Sequence, residues 1–331
     1  MVEPLRSGRR AVLLGSLAAL PSLLLPAFSK GSYAYAGSAS VQAALRAGRA
    51  LQLEMGSASL NIVAARPLSR AGMRAALRWV RRAGNATSRY FGRFPVPRYD
   101  LLLVPEPGDA VGHATTWGGP VAFPRIGVGN AVDDRSFADD WVLVHEMLHT
   151  ALPDLPRRAL WMQEGNATWV EPVIRAQAGW IDPQRFWRDA VEGLPRGLHG
   201  AAQGLDGTRD HDALYWGGAL FWFLAELELA KVEGKAVLWR ALRAINRDSG
   251  GNGADWDPET LIRRGDRAIG GDTLARLYRR FASGGMPIEL AALFETLGVL
   301  PADGGGVRLV ESAPGAAIRR AITAPLPESG L

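Results

Sequence analysis

An α+β fold in two lobes is predicted, a small mixed β-sheet lobe followed by a helical lobe. Strand-like runs with β-branched and leucine-rich composition, Ser59–Ala64 and 98–104, are confined to the first third of the chain. From about residue 136 onward the apolar spacing is helical almost throughout. Between the two strand-like runs lies one long helical pattern that Ser69 can cap and that reaches to about Tyr90.

Taken in order, residues 1–36 form a separate segment. Arg9 and Arg10 precede an apolar run from Ala11 to Leu20, and Ala34-Tyr35-Ala36 supplies a small-residue cleavage pattern. Pro21 and Pro26 interrupt the run, which is short for a bilayer, so it reads as an export signal and not a membrane span. The expected location is periplasmic or extracellular, with an N-terminal anchor if the signal is kept; the paired arginines hint at twin-arginine export. Residues 37–135 are read as the sheet lobe, with 37–57 open as a removable segment, 98–104 as a buried strand and 120–129 as an edge hairpin. Residues 136–300 are read as the helical lobe. Its first helix is expected at about 136–152, capped by Ser136 with Asp139 three residues on and ended by Pro153. Further helices are expected from Asp182-Pro183, over Leu214–Lys231, and around 236–246, 258–264, 273–282 and 287–297. Residues 301–331 are rich in Pro, Ala and Gly and are expected to be an extended tail with one strand-like run, Val307–Val310.

Composition narrows the chemistry. The chain has 331 residues, 47% of them hydrophobic, enough for a sizeable core. The formal charge is +5, and the excess is arginine, since lysine occurs only at Lys30, Lys231 and Lys235. Basic residues are interleaved with acids and show no aromatic-basic groove pattern, so nucleic acid is not read as a partner. With no cysteine, disulfides, thiolate metal ligands and a cysteine nucleophile are all excluded.

The chemistry-bearing residues are His145-Glu146-Met147-Leu148-His149 and, downstream, Trp161-Met162-Gln163-Glu164-Gly165-Asn166-Ala167. Four residues apart on a helix, His145 and His149 share a face and can share one metal ion. Glu146 is displaced by roughly 100° around the helix, so it can reach a water on that metal without joining the ligands. Zinc lowers the pKa of such a water from about 16 to about 7, and a neighbouring carboxylate can move its proton. A catalytic zinc site has three protein ligands and one open position, and Glu164 is the candidate third ligand. Glu171, two turns beyond it, is the candidate outer partner for the ring N–H of a zinc-bound histidine, although a solvated helix-face glutamate would look the same. Tyr215, at the head of an apolar helix, can be a hydroxyl donor to an oxyanion or simply a core residue. His113 reads as a loop histidine and Asp154 as a turn residue. The sequons at Asn85 and Asn166 read as coincidental, the second lying beside Glu164.

The pattern HExxH, then Glu164-Gly165-x-Ala167 on a helix, then Tyr215-x-x-Gly218-Ala219, resembles the gluzincin metallopeptidases. Within them it is similar to the aminopeptidase and glycyl-aminopeptidase-like branch, the peptidase MA-like domains. Softer matches are Tyr90–Pro95 running into Tyr99–Pro105, then Val121–Gly129 where that branch has its edge strand, and 281–298 where it has its closing helices. The resemblance covers residues 58 to 300. It implies a thermolysin-like two-lobed catalytic unit that holds one zinc ion per chain through His145, His149 and Glu164. It also implies Glu146 as general base, Tyr215 as oxyanion donor, and a peptide or protein substrate. Two departures are visible. The branch carries a Gly-Ala-Met-Glu-Asn segment whose Glu holds the substrate's free amine, whereas Gly112–Gly119 here contains no carboxylate, so the resemblance does not extend to aminopeptidase specificity. The connector from His149 to Glu164 is also shorter than in the branch. The expected function is zinc-dependent peptide hydrolysis; the alternatives are a non-catalytic zinc-containing envelope binding protein and a zinc amidase acting on a non-peptide amide.

Overall fold

The computed structural model describes residues 37–234, 237–285 and 287–326. The export-signal reading of residues 1–36 falls outside them. The described chain divides into two compact units, residues up to 83 with 96–146, and residues 84–95 with 147 onward. This division differs from the expected boundary near 136, because it passes through the HExxH motif itself, between Glu146 and Met147.

The first unit opens with helix α1 (Ser38–Ala47) and strands β1 (Leu51–Met55) and β2 (Ala58–Ala64). Helix α2 (Arg70–Phe91) follows, and Ser69 caps it through its Oγ, 2.9 Å from the Gly72 amide. Strands β3 (Arg98–Glu106), β4 (Val111–Trp117) and β5 (Phe123–Gly129) complete a sheet of order β1-β2-β3-β5-β4. β2, β3 and β5 are mutually parallel, and the outer strands run antiparallel to their neighbours. The central strand β3 carries Leu101-Leu102-Leu103-Val104, all inaccessible, the uninterrupted apolar run of a strand covered on both faces. Val41 of α1 packs on Val63, Leu102, Val104, Trp117 and Phe123 of the sheet. Residues 37–57 therefore contribute to this unit's core and sheet edge.

The expected edge strand is corrected. Phe123–Gly129 lies inside the sheet, between β3 and β4, and the edge is Val111–Trp117. β5 is buried along its whole length, whereas β4 opens with Val111, Gly112 and His113 half-buried. The expected 136–152 helix is corrected too. It is two helices, α3 (Asp134–Ala138) and α4 (Val142–Leu148). Asp133 and Ser136 form the capping box of α3. Asp140 caps α4, its carboxylate oxygens 3.2 Å from the Val142 and Leu143 amides, and it is itself held by Trp79 Nε1 at 2.9 Å. A short carboxylate that competes for backbone amides ends one helix and starts another more readily than it continues one.

In the second unit the chain leaves α4 by tight turns, with Thr150 Oγ1 donating to the Met147 carbonyl at 2.7 Å. Helices α5 (Leu160–Gln177), α6 (Pro183–Gly193) and α7 (Leu198–Gln203) follow, with Asp182 capping α6 ahead of its first-turn proline. A π-helical turn, Ala213–Gly217, runs into α8 (Gly218–Glu233). After it come α9 (Leu238–Ser249), α10 (Pro258–Ile269), α11 (Thr273–Ser283) and α12 (Leu290–Leu297). The expected extended tail is corrected in its turn. Strands β6 (Val299–Ala302) and β7 (Gly306–Leu309) form a hairpin, and α13 (Ala316–Thr323) packs beyond it. Arg319 anchors this segment, buried and donating to the carbonyls of Leu297, Gly298 and Val310 at 2.9–3.0 Å. Val299, Val307 and Ile322 are buried alongside it, so the segment docks through apolar side chains as well as through the arginine. No helix among the described residues is long and apolar enough to cross a membrane.

Two glycines set the spacing of α5 and α8. A Cβ on Gly165 would stand 2.1 Å from the Gly218 carbonyl carbon, and one on Gly218 would stand 2.0 Å from the Trp161 oxygen. The obstacle is backbone in both cases, so nothing can swing aside. Trp222 Nε1 donates to the Met162 carbonyl at 2.9 Å across the same contact. Gly165→Ala is expected to lower stability by about 1–3 kcal/mol, the cost of overpacking a close-packed core, visible as a lower melting temperature.

Glu226 of α8 is buried and accepts the Leu238 amide at 3.3 Å, which caps α9. Burial pushes its carboxyl from the ordinary 4.5 up to about 7, against the pull of the Leu238 and Val237 amides. Between those two values the folded state holds a proton that the unfolded state has released. The stabilising contribution is therefore complete below pH 4.5 and is lost as pH rises to 7. Glu226→Gln removes this dependence. Urea midpoints at pH 5 and pH 8 should show the variant gaining on the wild type at the higher pH, by on the order of a few kcal/mol.

Candidate metal centre

α4 presents His145 and His149 from successive turns, His149 being the first residue past the helix end. α5 presents Glu164, which is inaccessible to solvent. One ligand atom from each of the three side chains lies within 4.8 Å of the others, and no other such cluster occurs among the described residues. His149 Nε2 and Glu164 Oε2 are 3.5 Å apart. Ligand atoms at about 2.0–2.1 Å from a tetrahedral zinc stand roughly 3.3 Å apart, so the pair is already spaced for one ion.

The protonation states fit a cation. Burial lowers the pKa of His145 to about 4, so its imidazole is neutral with a lone pair to give at neutral pH. Burial raises that of Glu164, while the His149 charge, a hydrogen bond from Tyr215 and the His211 charge pull it back. Two imidazoles and a carboxylate, all buried, suit zinc, and the chain has no cysteine to offer a thiolate. Trp141 stands edge-on to the His145 ring at 5.5 Å and shields it.

Glu146, next to His145, is buried, and its carboxylate accepts a short hydrogen bond from Thr116 Oγ1 of edge strand β4. The same hydroxyl is 3.3 Å from the Glu146 carbonyl. Tyr99 lies in the field of this carboxylate: burial pushes its hydroxyl pKa well up, and the Glu146 charge pushes it further. Tyr215 sits in the π-helical turn before α8, almost buried, and its hydroxyl pulls the Glu164 carboxyl down against the effect of burial. The glycine contact of α5 and α8 accounts for that approach, because Glu164 precedes Gly165 and Tyr215 lies three residues before Gly218.

The remaining sequence candidates are placed as follows. Glu171 lies on α5 seven residues beyond Glu164, buried, with Arg175 Nη1 3.2 Å from its carboxylate. His113 is half-buried on β4, and burial followed by the Arg125 charge lowers its pKa. Asp154 is in a loop, its backbone paired with Ala254 and Trp256. Asn166 is fully buried inside α5, which closes that sequon to a glycan. Sequence reasoning missed Asp140, Thr116 and His211. Asp140 had a readable signal, a capping residue just before an apolar run. His211 stood four residues ahead of Tyr215, one helical turn away. Thr116 had none, because its role depends on which strand forms the sheet edge.

The chain matches no protein-family model and no curated protein. Among solved structures it shares the fold of an aminopeptidase N family protein from Idiomarina loihiensis, with a TM-score of 0.56 and 14% identity over 80% of this chain and 53% of that one. An M1 zinc metallopeptidase from Deinococcus radiodurans aligns with a TM-score of 0.47 and 17% identity over 72% of this chain and 52% of that one. The chain thus spans about half the length of the solved structures it resembles. The mixed sheet followed by helices is common ground with the aminopeptidase N family protein.

Adding zinc to metal-free protein is expected to raise its melting temperature, by the binding free energy that only the folded state collects. His149→Ala should abolish that rise. An equal rise in the variant would place the metal elsewhere.

Proposed function

We propose that this chain is a zinc-dependent peptidase, with the reaction carried by His145, His149, Glu164 and Glu146. The observation that carries the reading is the convergence of three buried nitrogen and oxygen donors within 4.8 Å, with Glu146 adjacent to one of them in the chain. Zinc held there, one per chain, would polarise the scissile carbonyl and acidify a water. Three protein donors rather than four leave a position for that chemistry, which favours a catalytic over a closed structural site. The fold shared with an aminopeptidase N family protein supports a peptide substrate.

In this reading Glu146 takes the proton of the attacking water and passes it to the leaving amine. The Thr116 hydroxyl orients its carboxylate by engaging one oxygen and leaving the other for the proton. Tyr215, beside Glu164, donates to the oxyanion as it develops. Glu171, paired with Arg175, steadies α5; as an outer partner of a histidine it would have to act across two turns of that helix. The fold further supports a thermolysin-like arrangement. Export is proposed from the basic and apolar pattern of residues 1–36.

Glu146→Gln is expected to keep one zinc per chain by elemental analysis and to lose hydrolysis of a mixed peptide library by a factor of at least about 100. Wild-type turnover in that variant would remove Glu146 from the reaction. Zinc retention with no cleavage by the wild type would instead favour a binding protein.

A further inference from the structure

The run Asp210-His211-Asp212 ahead of Tyr215 makes three separate contacts. Asp210 accepts the Ala213 amide at 2.8 Å and so starts the π-helical turn. His211 stacks on the Tyr215 ring, with centroids 4.4 Å apart and planes 19° from parallel. Asp212 Oδ1 lies 3.4 Å from His211 Nδ1 and is in turn gripped by Arg196, at 2.6 Å from Nη2, with Nε 3.3 Å from the other oxygen. The Arg196 guanidinium sits over the Trp216 ring at 5.4 Å. The His211 and Tyr215 rings therefore belong to one chain of contacts, Arg196 to Asp212 to His211 to Tyr215, and the Tyr215 hydroxyl in turn acts on the Glu164 carboxyl.

A π-helical turn is a single-turn departure from the α-helix, frequent at functional sites. Packing fixes the backbone of this turn: a Cβ on Gly197 would meet the Trp216 carbonyl carbon at 2.3 Å, and one on Gly200 the Ala213 Cβ at 2.4 Å. The direction of the Tyr215 ring needs a further wall. We infer that His211 is a positioning residue, a planar cover held by Asp212 and Arg196 that keeps the Tyr215 hydroxyl against Glu164. This rests on the peptidase reading for its catalytic meaning, but the stacking itself does not. A flat ring is required for the role, and the imidazole's proton is not. His211 is 44% exposed, so replacing it leaves the core intact.

The test pairs kinetics with a measurement on metal-free protein. His211→Ala is expected to lower kcat about tenfold with KM unchanged, and His211→Phe to recover most of it, the scale of a lost and restored aromatic stack. In tyrosine ring-13C-labelled apoprotein, with Tyr215→Phe for assignment, wild type and His211→Phe should give one shifted Tyr215 signal, and His211→Ala a signal moved toward the averaged tyrosine position. An unchanged Tyr215 signal in His211→Ala overturns the inference. So does a His211→Phe variant as slow as His211→Ala, which would make the imidazole itself the acting group. If the wild type cleaves no peptide, the peptidase reading falls alone, and the labelled spectra still decide the role of His211.

Discussion

Everything at this site depends on the burial of two imidazoles and a carboxylate at contact distance. Removing a carboxylate and two lone-pair nitrogens from water costs several kcal/mol unless something opposite in charge is shared among them. A divalent cation shared among the three donors would meet that cost. Burial keeps His145 neutral, and it raises the pKa of Glu164 despite the positive and donating groups facing it. The fold is arranged to hold these groups where they would otherwise be unfavourable.

That arrangement rests on backbone contacts more than on side chains. α5 and α8 touch at Gly165 and Gly218 with no room for a methyl group, so the residue before one glycine and the tyrosine ahead of the other arrive together. At the other side of the motif, Asp140 starts the histidine helix and Thr116 of the edge strand engages the adjacent glutamate. Thr116 engages the residue after His145, and Gly165 is the residue after Glu164, so both contacts act beside a candidate donor rather than on it. The exposed cover over Tyr215, built from Arg196, Asp212 and His211, follows the same plan.

Much of this was legible in the sequence, for identifiable reasons. The HExxH spacing fixes two donors on one helix face, and a glutamate in an apolar helix has few reasons to be there except a charged partner. β3 and α2 announced themselves by an unbroken apolar run and a capped amphipathic pattern. What could not be read depends on pairing between distant segments. Strand order is such a case: Val111–Trp117 looks polar and glycine-containing, yet forms the edge, while the following hairpin arm is buried between neighbours. At residues 139–141 the helical apolar spacing runs on, and the capping residue Asp140 is the one local sign of the break. The C-terminal hairpin and helix escaped because Pro, Ala and Gly dominate the segment's composition, while Arg319 with the buried Val299, Val307 and Ile322 docks it.

The zinc site proposed for His145, His149 and Glu164, with one position left open, is tested most directly by X-ray absorption at the zinc edge of the reconstituted protein. A first shell of four or five nitrogen and oxygen scatterers is expected, with the outer-shell signature of two imidazoles that falls to one in His149→Ala. A shell with no imidazole signature, or one unchanged in that variant, would contradict it.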